Sequence, residues 1–223
     1  MDLNKPKARD KAVVLLSGGI DSTVTLYLVK KYRFGPYVLI FDYKQRHKKE
    51  ILFAVNTAKR LKAPYKIVKI GFPWGGSALT DRKIKVPLTK SRGIPVTYVP
   101  GRNLVFLSLA VSFAETIKAK KIFIGAHIQD YSGYPDCRPE FLESFSRTAN
   151  LGIKHKGIKI ESPLLDKGKT EIIKLGYSLG VDFSKTWSCY QGSKNPCGKC
   201  DSCRYRREGF KKAGFPDPLM GEG

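Results

Sequence analysis

Two short stretches of this chain carry residue types that do chemistry. Near the C-terminus, Cys189, Cys197, Cys200 and Cys203 follow the pattern C-x7-C-x2-C-x2-C. Thiolates two residues apart can be turned onto one ion, and Gly198 permits the tight turn between Cys197 and Cys200. In a reducing compartment such clustering favours a metal site over disulfides. A closed four-sulfur site is structural, because no position stays open for water or substrate. Zinc fits this donor set, and the rival is an iron–sulfur cluster, which also uses C-x2-C-x2-C. Lys194, Lys199, Arg204 and Arg206 stand nearby to ease the thiolate charge. Cys137 stands apart from the cluster.

The second stretch is Leu16-Ser17-Gly18-Gly19-Ile20-Asp21-Ser22-Thr23. Two glycines let backbone N–H groups approach an anion, and Ser17 and Ser22 add hydroxyls. A following helix would add its positive end. The stretch is neither G-x-x-x-x-G-K-[ST] nor G-x-G-x-x-G. Asp21 repels a bare phosphate, so it is either a helix-start residue or a group that helps hold Mg²⁺ beside phosphates. An ordinary strand-to-helix turn is the plain alternative.

The surrounding pattern supplies the elements that would position these residues. Ala12–Leu16 and Val38–Phe41 are apolar runs that read as buried strands. Ser22 is placed to cap a helix running to about Tyr32. Residues 48–61 have helical apolar spacing and 65–70 form a third strand. The first seventy residues thus read β-α-β-α-β, which implies a parallel sheet with helices on its faces. The Pro/Gly-rich stretch 71–101 shows no periodicity. Further on, helices are expected over 103–118, 139–151 and 170–179, and strands over 121–126 and 158–162. A basic helix over 200–212 follows. The expected fold is a doubly wound α/β, Rossmann-like sheet over 1–180 with a small metal-stapled helical lobe over 181–223.

Composition sets the frame. The 223 residues include 41 Lys+Arg and 19 Asp+Glu, a net +22, with 42% hydrophobic residues. That balance suits a folded protein. The charge is spread along the chain, so it reads either as a solvated Lys-rich surface or as an attraction to nucleic acid. No run of about 18 apolar residues marks a membrane span. Met1–Lys11 lacks the apolar core of a secretion signal, and a cytoplasmic location is expected.

S-G-G-I-D-S resembles the pyrophosphate loop of the ATP pyrophosphatase (N-type, PP-loop) superfamily, whose fold is adenine nucleotide alpha hydrolase-like. Four further segments narrow the resemblance: Phe41-Asp-Tyr-Lys-Gln-Arg-His47 with Glu50, Val99-Pro-Gly-Arg-Asn103, Asp130-Tyr-Ser-Gly-Tyr-Pro-Asp-Cys-Arg138, and Ser188-Cys-Tyr190 joined to Cys197-Gly-Lys-Cys-Asp-Ser-Cys203. Together they resemble the 7-cyano-7-deazaguanine synthase (QueC) family from Ala12 to Phe215. One departure is Lys44, where Gly is expected in many relatives.

The resemblance implies a ligase that joins ammonia to 7-carboxy-7-deazaguanine at the expense of ATP. The product would be the nitrile precursor of queuosine and archaeosine. It implies a free base as substrate with no direct tRNA binding, and a homodimer. Leu16 to Leu26, including Val24 and Thr25, would cradle the triphosphate, with Mg²⁺ near Asp21. The backbone at Phe41 and Asp42 would meet the adenine. Arg46 and His47 would steady phosphates or form a solvated basic turn. Arg102 would bind the substrate carboxylate or the α-phosphate, and Asn103 would cap its helix or touch ligand. Asp136 would read the guanine-like edge, Tyr131 or Tyr134 would stack on the ring, and Arg138 would meet the anion. The alternative for Asp136 is an Asx-turn among surface tyrosines. Cys137 reads as a pocket-wall residue rather than a nucleophile. The competing functions are a tRNA thiolase with an iron–sulfur cluster and a non-catalytic, zinc-stapled binding protein.

Overall fold

The computed structural model describes residues 10–88, 93–130 and 133–220. Among these, five parallel strands form one sheet: β1 Lys11–Leu15, β2 Gly35–Asp42, β3 Tyr65–Lys69, β4 Lys121–Phe123 and β5 Lys159–Glu161. Their order is β3-β2-β1-β4-β5. Six helices accompany them: α1 Ile20–Lys31, α2 Lys49–Arg60, α3 Arg102–Ile117, α4 Pro139–Leu151, α5 Lys169–Ser178 and α6 Asp201–Ala213.

The sheet is covered on both faces because its central strands are apolar on both. On β1, Ala12 and Val14 pack with Leu26 and Val29 of α1 and Ala54 and Ala58 of α2. Val13 and Leu15 point the other way, onto Leu107, Ala110 and Ala114 of α3 and Leu142 of α4. This is the period-2 alternation of a strand with two buried faces. The edge strand β3 exposes Ile67.

The strand order reverses at β1, with β2 on one side and β4 on the other. Chain segments leaving the carboxyl ends of β1 and β4 therefore diverge to opposite faces and leave a crevice between them, where open α/β sheets bind ligands. The Ser-Gly-Gly loop leaves β1 at that point.

Helix α1 begins earlier than Ser22. Gly19 is its N-cap, with no side-chain cap. Ser22 sits in the first turn, and its hydroxyl reaches back to accept from the Ser17 N–H at 3.1 Å. Lys44 has φ +60°, the left-handed region that glycine enters without cost. A glycine would take this turn without strain.

The C-terminal segment is not detached. Phe183, Phe210 and Ala213 share an apolar cluster with Ile20, Val24 and Leu28 of α1 and Ile172 and Ile173 of α5. Arg206 is fully buried in this seam. Its guanidinium donates to both carboxylate oxygens of Asp217, at 2.8 and 2.9 Å, and to the Phe183 and Thr186 carbonyls. A buried charge is tolerable only with such complete pairing. No helix among the described residues is long and apolar enough to cross a membrane.

Candidate active site

A cavity of about 560 Å³ opens at the carboxyl ends of β1 and β4, between the sheet and the C-terminal lobe. Ser17, Gly19, Asp21 and Ser22 form its floor. Gly18 lies just beneath, with φ +84°. A Cβ there would fall 2.4 Å from the Glu50 carbonyl oxygen and 2.8 Å from the Ala54 nitrogen, both backbone of α2. Gly125, after β4, is equally constrained: its Cβ would lie 2.9 Å from the Ser22 nitrogen. The loop is thus pinched between α2 and the end of β4. Within it, the Ser17 and Ser22 hydroxyls are 3.0 Å apart and the Gly19 N–H donates to Ser17 Oγ at 3.3 Å. Hydroxyls and the α1 N-terminus converge on one spot, an anion-binding arrangement.

Asp21 stands at the head of a charged group. Lys169 Nζ, from the first turn of α5, is 2.6 Å from Asp21 Oδ1 and 3.2 Å from His127 Nε2. His127 Nε2 is 3.6 Å from a carboxylate oxygen of Asp21 and of Asp130 alike. Burial alone would raise the Asp21 pKa. Lys169 and then His127 outweigh it and hold the carboxyl well below its usual range. Asp130 goes the other way: burial raises it, and His127 only partly compensates. The oxygen donors of Asp21 and Asp130 suit a hard divalent cation.

Across the cavity, Arg102 opens α3. A cation at a helix N-terminus is unfavourable, and the structure offsets it. Asp136 Oδ2 accepts from the Asn103 N–H at 2.8 Å, placing a carboxylate on that helix end. Arg102 also donates to the Tyr43 hydroxyl at 3.4 Å. Burial pushes Tyr43 up to about 12, so it stays a neutral phenol. Glu50 lines the same region, and burial, opposed by Arg102, pushes it up to about 7.

The predicted residues do not all meet at the cavity. Leu16, Ile20, Phe41, Arg102, Asn103 and Tyr134 join the floor residues in lining it. Thr23, Val24, Thr25 and Leu26 are buried behind the loop, and Phe41 is stacked on Phe106 at 3.9 Å between ring centroids. Asp42 pairs with Lys48 at 3.1 Å. Arg46 is tied to the loop that follows β3, donating to the carbonyls of Ala78, Asp81 and Ile84. It neither lines the cavity nor points free charge at it. Asp136 is turned onto α3 rather than into the cavity. Arg138 leads into α4 as its N-cap residue. Tyr131 lies outside the described residues. Cys137 lines the cavity as a buried thiol that accepts from Asn103 Nδ2 at 3.1 Å. Burial pushes its pKa up, which disfavours the thiolate that nucleophilic attack needs. Glu50, Asp130, His127 and Lys169 line the cavity as well, and the sequence motifs assign none of them a role there. Lys169 lies 148 positions from its partner Asp21, and no local spacing signals such a pair.

The four cysteines converge. Their sulfur atoms all lie within 4.8 Å of one another, and Cys197 and Cys203 are 3.9 Å apart. A tetrahedral site with metal–sulfur bonds of ~2.3 Å has sulfur–sulfur edges of ~3.8 Å. Backbone N–H groups of Gln191 and Cys197 point at Cys189 Sγ, and those of Lys199 and Cys200 at Cys197 Sγ, as suits thiolate acceptors. The cluster could hold a metal such as zinc. It also anchors the cavity wall. The Trp187 N–H donates to the Gly18 carbonyl at 2.9 Å, and its indole N–H to the Cys189 carbonyl at 2.8 Å. Lys49 Nζ lies 4.3 Å from the Trp187 ring centre.

With this geometry in view, comparison with known proteins decides the family. The profile of the family described as queuosine biosynthesis protein QueC matches residues 11–214. The chain belongs to that family. A relative from Clostridium kluyveri named 7-cyano-7-deazaguanine synthase is 54% identical, covering 96% of this chain and 98% of its own. One of the same name from Pseudomonas paraeruginosa is 50% identical over 93% and 96%. Among solved structures, NMN synthetase from Francisella tularensis aligns with TM-score 0.52 at 16% identity, over 93% of this chain and 78% of its own. A predicted tRNA methyltransferase subunit from Methanocaldococcus jannaschii aligns with TM-score 0.51, also at 16% identity, over 96% and 92%. These last two likenesses concern the fold alone. Within the QueC family, the residues that line this cavity are the natural place to seek the chemistry.

Proposed function

We propose that this QueC-family chain is a 7-cyano-7-deazaguanine synthase, an ATP-dependent ligase that turns 7-carboxy-7-deazaguanine and ammonia into the nitrile. The observation that carries the reading is one cavity lined both by an anion-binding glycine loop and by a half-buried Arg102. The two relatives of that name support it at near full length.

A carboxylate is a poor electrophile because it would have to expel oxide. Transfer of AMP to its oxygen, with release of pyrophosphate, supplies a leaving group. Ammonia then attacks the acyl carbon, and AMP departs carrying that oxygen, leaving the amide. A second AMP transfer, to the amide oxygen, allows loss of AMP and two protons to give the nitrile. Both carboxylate oxygens thus leave on AMP, and one site serves because both steps activate an oxygen on the same carbon.

Ser17, Gly19 and Ser22 would cradle the polyphosphate, with Lys169 neutralising charge that develops as pyrophosphate leaves. Asp21 and Asp130 would hold Mg²⁺, which would offset phosphate charge. Arg102 would fix the substrate carboxylate through charge-assisted bonds. Glu50, with a pKa near neutrality, is suited to take a proton from the attacking nitrogen. The four-cysteine site would hold zinc as a structural staple of residues 181–223. A homodimer and a soluble cytoplasmic setting belong to the same reading. The thiolase alternative is disfavoured by the buried, high-pKa Cys137.

The experiment is isotope transfer. With both carboxylate oxygens labelled with oxygen-18, the reading predicts singly labelled AMP at each of the two activations. Label appearing in phosphate or water instead would overturn the adenylation route.

A further inference from the structure

The cavity has a wall that the glycine loop and the Asp130–Arg138 segment do not supply. Asp201 and Tyr205 of α6 both line it, as does Ser202. Asp201 and Tyr205 are four residues apart, so they project from one face of the helix. Tyr134 reaches the cavity from the sheet body. A carboxylate and an aromatic ring on one helix face, lining a cavity together with a second tyrosine, are what a flat heteroaromatic base with adjacent N–H donors requires. The carboxylate accepts from two donors at once, and the rings cover the faces.

Asp136 is the motif carboxylate expected to do this, but it accepts from the Asn103 N–H and holds the start of α3. We propose that Asp201 reads the ring N–H and exocyclic amine of the deazaguanine, with Tyr205 covering a face of the ring. This rests on the synthase reading above and deepens it. It also gives the cysteine site a part in substrate selection. Cys200 is the N-cap of α6 and Cys203 lies in its first turn, so metal ligands flank Asp201 on both sides and fix its direction.

The test uses the full-length protein, steady-state kinetics and two substrates: 7-carboxy-7-deazaguanine and the analogue lacking the 2-amino group. The wild-type protein should prefer the amino-bearing substrate by about 10- to 100-fold in kcat/KM. Asp201→Asn should raise KM for that substrate by about 10- to 100-fold and shrink the preference to within about 3-fold. The KM for ATP and the metal content per chain should stay within about 2-fold. Tyr205→Leu reads the same wall should Asp201→Asn fail to fold: it should weaken both base substrates without changing the KM for ATP. An undiminished preference in Asp201→Asn overturns the inference while leaving the synthase reading intact. Equal losses on both substrates accompanied by loss of metal also overturn it, since they mark a structural role. If the wild-type protein makes nitrile from neither base, the synthase reading falls and this inference with it.

Discussion

Glu50 and Asp21 are carboxylates on one cavity whose surroundings push them apart. Lys169 and His127 hold Asp21 ionised, whereas burial lifts Glu50 to about 7. Divergent pKa values of this kind mark separate acid–base duties. The rate of nitrile formation should therefore rise through about pH 7 as Glu50 ionises, and Glu50→Gln should abolish that limb of the pH profile. Stability carries the opposite sign. The folded state holds this proton more tightly than the unfolded chain between the ordinary value of 4.5 and about 7. Stability from this group is therefore fully present below pH 4.5 and declines as pH rises through 7. Glu50→Gln should melt at nearly the same temperature at pH 5 and pH 8, where the parent loses stability. Arg46 is the contrasting case. Its three backbone acceptors make it a loop tie, so Arg46→Ala should cost about 2 kcal/mol in a denaturant titration. Its KM for ATP should change by less than about 3-fold. A tenfold rise in that KM with unchanged stability would return Arg46 to the phosphates.

At the scale of elements, the parallel sheet was legible because its central strands are continuous apolar runs and its helices repeat every three to four residues. The start of α1 was not. Ser22 has the right chemistry for a cap, but the close approach of α2 at Gly18 turns the chain into helix three residues sooner. That same contact predicts the cost of Gly18→Ala. A side chain at φ +84° meeting two backbone atoms should destabilise by about 2 to 4 kcal/mol and abolish ATP binding. Denaturant titration and nucleotide-binding calorimetry check the two halves. The stretch after β3 was illegible for a physical reason: it forms turns held by long-range bonds such as those of Arg46, which leave no periodic trace. The cysteine cluster was readable from spacing alone, but its place against the glycine loop was not. That placement runs through the Trp187–Gly18 backbone bond. Likewise, the motif carrying Asp136 was visible, and its turn onto α3 was not.

At the scale of the molecule, the lobe and the sheet body share one apolar cluster and one cavity, so metal and activity should be lost together. Cys200→Ser should lose its metal by elemental analysis and melt about 10 °C lower. A variant that kept its melting temperature without metal would remove the staple from the account. The net charge of +22 exceeds what Arg102 and Lys169 contribute at the cavity. Charge of this sign attracts anions, and salt screens that attraction beyond about 10 Å at 0.1 M. Conversion of a carboxylate into a nitrile at this cavity is checked by mass spectrometry of the base after incubation with ATP, Mg²⁺, ammonia and 7-carboxy-7-deazaguanine. The expected product is 7-cyano-7-deazaguanine, with two AMP formed per nitrile. An unchanged carboxylate, or modification of added tRNA in its place, would contradict it.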